Sequence, residues 1–174
     1  MKPSGAGMAP SVDIRPFRET DAGELRLCMI EEQDALRAFD PRMPPGAAMA
    51  DAYLEQTLQA CRDCDGTVFV AAADGRVVGF ATVLARVSHA GADNPSGSYA
   101  VVRDLAVRSE WRVRGVGTAL LRHAEDHVKA SGAIELRVEV LSENVRADAL
   151  YRRLGFAPYL LTLVKRVLPI ERPR

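Results

Sequence analysis

The chain has 174 residues, the size of one domain, and its 23 basic and 23 acidic side chains give a formal net charge of zero. A neutral chain has no overall field that would attract nucleic acid or an anionic membrane surface, so we expect neither partner. The first ten residues contain no apolar leader and the chain has three cysteines, an odd number. Both features argue against a disulfide framework and favour a cytoplasmic protein without a membrane span.

The first half of the chain predicts a strand, two helices and a hairpin. Apolar and polar residues alternate over residues 11–17, and apolar residues then recur at helical spacing over 22–39 and 46–62. Residues 67–73 and 76–87 are strand-like and are joined by Asp74-Gly75, a dipeptide typical of a tight hairpin. Residues 88–98 have loop composition. This loop is either an element on the substrate side of the site or a disordered hairpin tip, and the sequence does not distinguish the two.

The second half predicts a helix that connects two parallel strands. We expect strands at 99–107, 134–140 and 159–168, and helices from Val116 to Gly132 and over 145–154. Because a helix connects the strands at 99–107 and 134–140, we expect them to pair in parallel. The order β, α, α, β, β, β, α, β, α, β indicates a mixed α/β sheet. We expect one domain over 11–168, with flexible tails at 1–10 and 169–174.

A glycine-rich loop precedes the helix that begins near Val116. It consists of Arg112, Val113, Arg114, Gly115, Val116, Gly117 and Thr118. Helix N-termini bind anions, glycines let the main chain approach a phosphate, and arginines add charged donors. A dinucleotide-binding fingerprint requires a third glycine where Leu120 stands, and a P-loop requires a lysine that is absent here. The loop is therefore a candidate phosphate site of another class, with a structural turn as the alternative.

Cysteine and histidine spacing favours no metal site. Cys61 and Cys64 form a Cys-x-x-Cys pair, and His123 and His127 lie four residues apart. Neither pair has further ligands at a matching spacing, and a structural zinc site requires four. We expect no metal cofactor.

Two motifs resemble the GNAT superfamily of N-acetyltransferases. The first is Leu105-Ala106-Val107 followed by Arg112-x-x-Gly115-x-Gly117, which resembles the acetyl-CoA loop of that family. The second lies one strand later and is Asn144-x-x-Ala147-x-x-Leu150-Tyr151-x-x-Leu154-Gly155-Phe156. The resemblance spans residues 12–168. It implies the GNAT fold, a central mixed sheet whose splayed parallel strands bind acetyl-CoA, flanked by about four helices.

The resemblance also implies roles for individual residues. Residues 112–118 would hold the diphosphate of acetyl-CoA, and the backbone of Leu105, Ala106 and Val107 would run beside the pantetheine arm. Tyr151 is expected to act as general acid toward the leaving thiolate, with core packing as its alternative. Asn144 is expected to cap the following helix, to contact pantetheine, or to do both.

A general base is useful because an amine with a pKa near ~10.4 is mostly protonated at neutral pH. Asp104 and Glu139 are the carboxylates at positions where a GNAT enzyme could use one, and a solvated or paired carboxylate is the alternative for each. Some family members carry a glutamate a few residues before the Leu-Ala-Val position, where this chain has Val101.

The resemblance therefore implies an N-acetyltransferase that moves an acetyl group from acetyl-CoA to a primary amine by direct attack in a ternary complex. The acceptor, a small molecule or a protein amine, stays open. A non-catalytic acyl-CoA-binding module is the alternative. A homodimer formed through the strand expected at 159–168 is compatible with either.

Overall fold

The computed structural model describes residues 11–88, 98–165 and 167, and in them five strands form one sheet in the order β1-β2-β3-β4-β5. Pairing is antiparallel from β1 to β4, and β5 is parallel to β4. The strands are β1 Asp13–Pro16, β2 Thr67–Ala73, β3 Arg76–Ser88, β4 Ser98–Val107 and β5 Leu136–Val138. The helices are α1 Ala22–Leu36, α2 Gly46–Asp63, α3 Val116–Ala130 and α4 Val145–Arg153. The mixed α/β sheet is confirmed.

Helices cover both faces of the sheet, and each face has its own apolar cluster. On one face α3 and α4 pack on the sheet in a cluster that includes Val83 of β3 and Leu120 of α3, both fully buried. On the other face α1 and α2 pack on Val70 and Phe80, also fully buried. The central strands β2 and β3 are therefore buried on both sides, which accounts for their nearly continuous apolar sequence.

The hairpin between β2 and β3 follows from its two turn residues. Asp74 has a φ of 50° and Gly75 a φ of 75°, and two residues with positive φ form the turn that matches the twist of antiparallel strands. The hairpin prediction is confirmed. The loop predicted over residues 88–98 falls mostly on 89–97, which lie outside the described residues.

A bulge in β4 changes which face its side chains occupy. Thr82 of β3 pairs with Asp104 while Val83 pairs with Val102, so β4 has one extra residue, Arg103. Before the bulge Val102 packs on the α3 side of the sheet, whereas after it Ala106 packs on the α1 side. The bulge therefore turns Asp104 away from the α3 core and toward α1 and α2.

The parallel pair separates beyond the same bulge. Pairing of β4 with β5 runs from Ala100↔Leu136 to Val102↔Val138 and stops there. The strand predicted over 134–140 is thus shorter than expected. The last five residues of β4 have no neighbouring strand on the β5 side among the described residues, and this open edge positions the candidate site.

The strand predicted over 159–168 is wrong for the residues that are described. Residues 159–165 form no strand, and apolar side chains such as Leu160 and Leu163 are exposed. Strand propensity mainly reflects packing and pairing with a neighbouring strand, and in the described chain β5 ends the sheet without a further partner. Residues 166 and 168 lie outside the described part.

Candidate active site

The backbone of the end of β4 faces the open edge. Arg108 N donates to Val78 O on β3 at 2.9 Å, and alternate residues of a strand direct their backbone groups to opposite sides. Leu105 and Val107 therefore direct their backbone N–H and C=O groups away from β3, toward the open edge. Before the bulge the even-numbered residues face β5 instead of β3, since Ala100 N donates to Glu135 O at 3.0 Å on the β5 side. The bulge and the separation of the strands leave backbone donors available at this edge.

The glycine loop leads from the open edge into α3. Gly115 adopts a left-handed conformation with φ 83° and is the residue before α3, whose first-turn N–H groups have no acceptor within the helix. Nothing lies within 4 Å of the position where a Cβ on Gly115 would stand. Val113 also has a positive φ, 62°, and is 95% exposed. The loop thus presents open backbone and a helix N-terminus, which suits the diphosphate of a coenzyme A.

The two arginines of the loop have different surroundings. Arg112 Nε donates to Val107 O at 2.9 Å, and its guanidinium lies 4.0 Å from the carboxylate of Glu31. Arg112 therefore holds the loop against the end of β4. The Arg114 guanidinium stacks over the ring of Trp111 at 5.3 Å and is exposed. Arg114 is accordingly the loop cation that faces solvent.

The start of α3, the end of β4 and helix α4 meet at Gly117. A Cβ on Gly117 would lie 3.5 Å from the Leu150 side chain and 3.6 Å from that of Val107. These are ordinary contact distances, so the three elements approach closely at this glycine. Tyr151 follows Leu150 and packs in the same apolar cluster as Val116 at the start of α3 and Val107 at the end of β4.

Helix α4 begins with a capped turn and carries the buried tyrosine. Asn144 Oδ1 accepts a hydrogen bond from Ala147 N at 3.2 Å, so Asn144 caps the helix, one of its two expected roles. The Tyr151 ring is buried and stands edge-to-face with Phe156 at 5.8 Å. Burial, with the charges of Glu32 and Asp104, raises the pKa of Tyr151 to about 12. The hydroxyl therefore keeps its proton at neutral pH, as a proton donor must.

Asp104 is a buried carboxyl group with one hydrogen-bonded oxygen. Its Oδ1 accepts from the hydroxyl of Tyr53 on α2, while its Oδ2 is fully buried and makes no well-formed hydrogen bond, the hydroxyl of Thr82 on the paired strand being its nearest donor by pairing. Burial raises the pKa of Asp104 above its usual value, and the hydrogen bond from Tyr53 opposes that shift. The predicted candidate base is thus poorly solvated and has a free oxygen for a proton.

A second acidic group, Glu32, lies close enough to interact with Asp104. It is half-buried on α1, and burial followed by the charge of Asp104 raises its pKa, while Arg112 opposes the rise. Glu32 was not among the sequence candidates, and neither was Tyr53. Glu32 follows the buried Cys28 by four residues, so helical periodicity alone could have placed it on the inner face of α1.

The other sequence candidate, Glu139, lies one residue beyond β5 and is exposed. It makes no hydrogen bond or ion pair with Asp104 or Tyr53. Asp104 therefore contacts Tyr53 directly, and its charge also raises the pKa of Glu32 and of Tyr151. Tyr151 itself packs on the α3 side of the sheet, and Glu139 stays on the surface.

Replacing Glu32 with glutamine is expected to increase stability at alkaline pH. Because the pKa of Glu32 is raised, the folded chain keeps a proton that the unfolded chain loses near its usual pKa of ~4.3. The free energy of unfolding therefore falls as pH rises from this usual pKa to the raised pKa of the folded chain. Glutamine keeps the shape of the side chain without titrating. Relative to the unmodified chain, the free energy of unfolding of the variant should therefore be higher by roughly 1 kcal/mol above the raised pKa and little changed at acidic pH. Thermal melts across pH measure this, with the exposed Glu55→Gln on α2 as control. A loss of stability at alkaline pH would contradict the burial argument.

The described residues contain neither a metal-binding cluster nor a membrane-spanning helix. No group of three or more His, Cys, Asp or Glu side chains in this part of the chain could hold a metal ion. Cys28, Cys61 and Cys64 are free thiols. No helix in residues 11–88 or 98–165 is long and apolar enough to cross a membrane.

An open strand edge next to a glycine loop and a buried tyrosine defines the class of acyltransferases that use coenzyme A thioesters. The chain belongs to the acetyltransferase (GNAT) family, whose family model matches residues 32–156. The family expected from the sequence motifs is confirmed, and so is the GNAT fold. The chain is an enzyme of this class.

Named relatives and a solved structure agree with this assignment. An aminoglycoside N(6')-acetyltransferase type 1 of Stenotrophomonas maltophilia is 36% identical over 108 residues, covering 62% of this chain and 70% of that protein. Streptothricin acetyltransferase of Streptomyces lavendulae is 36% identical over 96 residues, covering 55% of this chain but only 47%, about half, of that protein. A structure of AAC(6')-Iy in complex with the bisubstrate analogue CoA-S-monomethyl-acetylneamine superposes with a TM-score of 0.64 at 25% identity, covering 90% and 97% of the two chains.

Proposed function

We propose that the protein transfers an acetyl group from acetyl-CoA to a primary amine of a small molecule by direct attack in a ternary complex. The observation that carries this proposal is the open edge of β4 beside the glycine loop, with the buried Tyr151 on the α3 side of the sheet and the buried Asp104 on the α1 side. A proton donor and a carboxyl group therefore flank the strand beside which an acyl thioester would lie. A non-catalytic acyl-CoA-binding module would not require such a group.

The cofactor side of the site consists of the open edge and the glycine loop. Acetyl-CoA supplies the activated acetyl thioester. The backbone N–H groups of Leu105 and Val107 face the open edge, where one of them can donate to the thioester oxygen as negative charge develops on it. A preorganised donor of this kind lowers the barrier by roughly 3 kcal/mol. The loop 112–118 would hold the diphosphate on the N-terminus of α3, with Asn144 and Tyr151 lining the pantetheine side.

The protons move between the chain and the two reactants. Asp104 or Glu32 accepts the proton of the incoming ammonium group, directly or through a water, so that the amine nitrogen can form its bond to the acetyl carbon. The carbon–sulfur bond then breaks while Tyr151 donates a hydrogen bond to the departing sulfur. The second proton that the nitrogen loses as it becomes an amide goes to this sulfur, either through a water or through the Tyr151 hydroxyl, which gives up one proton and takes up the other. Because a thiol has a pKa near ~8.5 and Tyr151 a higher one, full proton transfer from Tyr151 is uphill, and hydrogen bonding to the thiolate is favoured over it.

The acidic pair favours a cationic acceptor. Two carboxyl groups of raised pKa bind a nearby ammonium group well, because its charge favours their ionised forms. The two curated relatives described above are named for acting on an aminoglycoside and on streptothricin. We therefore place a small polyamine-like molecule before a protein amine as acceptor. The zero net charge supports a protein with no nucleic acid or membrane partner, and the odd number of cysteines supports a cytoplasmic one. The length supports one domain, over residues 11–168.

A free-thiol release assay with acetyl-CoA tests the proposal. The panel holds an aminoglycoside, streptothricin, a linear polyamine, free lysine and a peptide with a free amino terminus. We expect thiol release with at least one small cationic amine and a much lower rate with the peptide. Absence of thiol release from every amine, with acetyl-CoA shown to bind, would support the non-catalytic module instead.

Acetyl-CoA is expected to raise the melting temperature, whereas NAD and ATP are not. A ligand present at a hundred times its dissociation constant stabilises a protein by about 2.7 kcal/mol. Arg114→Glu should weaken this stabilisation at least several-fold, because it reverses the solvent-facing charge of the loop. Arg62→Glu, a charge reversal at the far end of α2, is the matched control. Stabilisation by NAD or ATP equal to that by acetyl-CoA would exclude the cofactor assignment.

A further inference from the structure

One tyrosine of α2 reaches across the fold to the candidate base. The hydroxyl of Tyr53 donates to Oδ1 of Asp104, a residue 51 positions further along the chain. The Tyr53 ring is half-buried and packs on the apolar cluster that joins the sheet to α1 and α2. Among the described residues this hydroxyl is the one donor that makes a well-formed hydrogen bond with Asp104. The orientation of the carboxyl group therefore depends on Tyr53.

The bulge in β4 also holds the tyrosine ring. Arg103 is the extra residue of the bulge, and its exposed guanidinium lies 5.0 Å from the centre of the Tyr53 ring, where a cation is attracted to the aromatic face. Consecutive residues of a regular strand point to opposite faces of the sheet. The bulge instead lets Arg103 and Asp104 contact the face and the hydroxyl of the same tyrosine.

The hydrogen bond from Tyr53 favours the ionised form of Asp104. A donor interacts about twice as strongly with a carboxylate as with a neutral carboxyl group. Burial and the charge of Asp104 raise the pKa of Tyr53, so its hydroxyl keeps its proton and continues to donate at neutral pH. Burial of Asp104 acts in the other direction and raises its pKa. Tyr53 therefore offsets part of the cost of a buried negative charge.

Titratable and polar groups of every element around Asp104 interact with it. They are Glu32 of α1, Tyr53 and Cys61 of α2, Thr82 of β3, Arg103 of β4 and Tyr151 of α4. Burial raises the pKa of Cys61 to about 11 and that of Tyr151 to about 12, so both stay neutral. Glu32 and Asp104 oppose each other's ionisation, while Arg103 supports that of Asp104. Tyr53 is thus the neutral donor that acts with Arg103 against burial and like charge.

We propose that Tyr53 is a positioning residue, whose hydroxyl holds the carboxyl group of Asp104 in place and stabilises the charged form that accepts the proton of the amine. This proposal rests on the proposed function, because it takes Asp104 as the base. Tyr53 itself exchanges no proton with either reactant. Because Oδ1 is bonded to Tyr53, Oδ2 is the oxygen that takes up the proton.

The pH profile of Tyr53→Phe tests the positioning role. The change removes the hydroxyl and keeps the ring beneath Arg103. We expect kcat/KM for the amine to fall several-fold at neutral pH, KM for acetyl-CoA to change little, and the acid limb to move up by about one pH unit, since Asp104 then stays neutral to higher pH. A loss of packing alone would not move the limb. Tyr159→Phe is the matched control, because Arg137 lies 4.9 Å from that exposed ring, and it should leave the profile unchanged.

A double-mutant cycle on stability tests the same contact without turnover. The free energy of unfolding is measured across pH for the unmodified chain, Tyr53→Phe, Asp104→Asn and the double variant. Losing the hydroxyl raises the folded-state pKa of Asp104, so the destabilisation by Tyr53→Phe should be small at acidic pH and grow as pH rises through the titration of Asp104. In the Asp104→Asn background it should be the same at every pH.

Two results would overturn the positioning role. One is an acid limb that stays in place in an active Tyr53→Phe variant, and the other is a destabilisation that is independent of pH or keeps its pH dependence without Asp104. If Tyr53→Phe does not fold, 3-fluorotyrosine at position 53 decides, since its more acidic hydroxyl is a stronger donor and should move the limb and the loss of stability to lower pH. Coupling in a chain that acetylates no amine would overturn the proposed function while supporting the hold of Tyr53 on Asp104.

Discussion

Replacing Tyr151 with phenylalanine is expected to lower kcat roughly 100- to 1,000-fold, the usual contribution of a positioned proton donor, and to change KM for acetyl-CoA little. The substitution removes only the hydroxyl group. The ring keeps its place against Phe156, so the fold and the binding of the cofactor should be preserved. Steady-state kinetics with the best amine of the panel measure the effect.

Controls separate the hydroxyl from its surroundings. Tyr159→Phe removes a hydroxyl from an exposed ring outside the site and should leave turnover unchanged. Because the pKa of Tyr151 is raised to about 12, its hydroxyl stays protonated throughout the assay range, and any loss of rate at alkaline pH must come from another group. Equal kcat for wild type and Tyr151→Phe would remove the assigned role, whereas a large rise in KM with kcat unchanged would indicate a role in binding alone.

Replacing Asp104 with asparagine is expected to lower kcat/KM roughly 100-fold or more at neutral pH, within the range of general base catalysis. Asparagine keeps the shape and can still accept the hydrogen bond from Tyr53, so the change removes mainly the charge and the proton-accepting oxygen. Removing that charge should also lower the pKa of Glu32, since the charge of Asp104 is one cause of its rise.

The pH profile distinguishes Asp104 from Glu32 as the base. In the wild type we expect the rate to fall as pH drops through the raised pKa values of the pair, because a protonated carboxyl group cannot accept the amine proton. If Glu32 takes over as base in Asp104→Asn, the remaining activity should keep an acid limb that has moved to lower pH. Disappearance of the acid limb would assign it to Asp104.

Two further carboxylates serve as comparison. Asp126→Asn, an exposed position on α3, should leave kcat/KM unchanged. Glu139→Gln should cost much less than Asp104→Asn, because Glu139 is exposed and lies beyond β5. A larger loss from Glu139→Gln would overturn the choice of Asp104 and move the base to the β5 side of the open edge.

Local sequence patterns were enough to place nearly all of the elements. Helical and strand periodicity, the Asp74-Gly75 turn and the glycine loop each depend on residues only a few positions apart, so they can be recognised without the fold. The same holds for the two motifs around Arg112 and Tyr151, which identified the family and its cofactor. The strand expected over 159–168 was the exception, because a strand also needs a partner that local sequence does not specify.

Only the tertiary structure decided which titratable side chains interact at the site. Glu32, Tyr53, Asp104 and Tyr151 are far apart in the sequence and belong to α1, α2, β4 and α4. The bulge at Arg103 turns Asp104 toward α1 and α2, and burial together with like charge then raises the pKa of both carboxyl groups. Such shifts depend on desolvation and on distances across the fold. The sequence by itself therefore determined the family and the cofactor loop. The packing of the helices on the sheet, together with the separation of β4 from β5, decided the candidate acid and base.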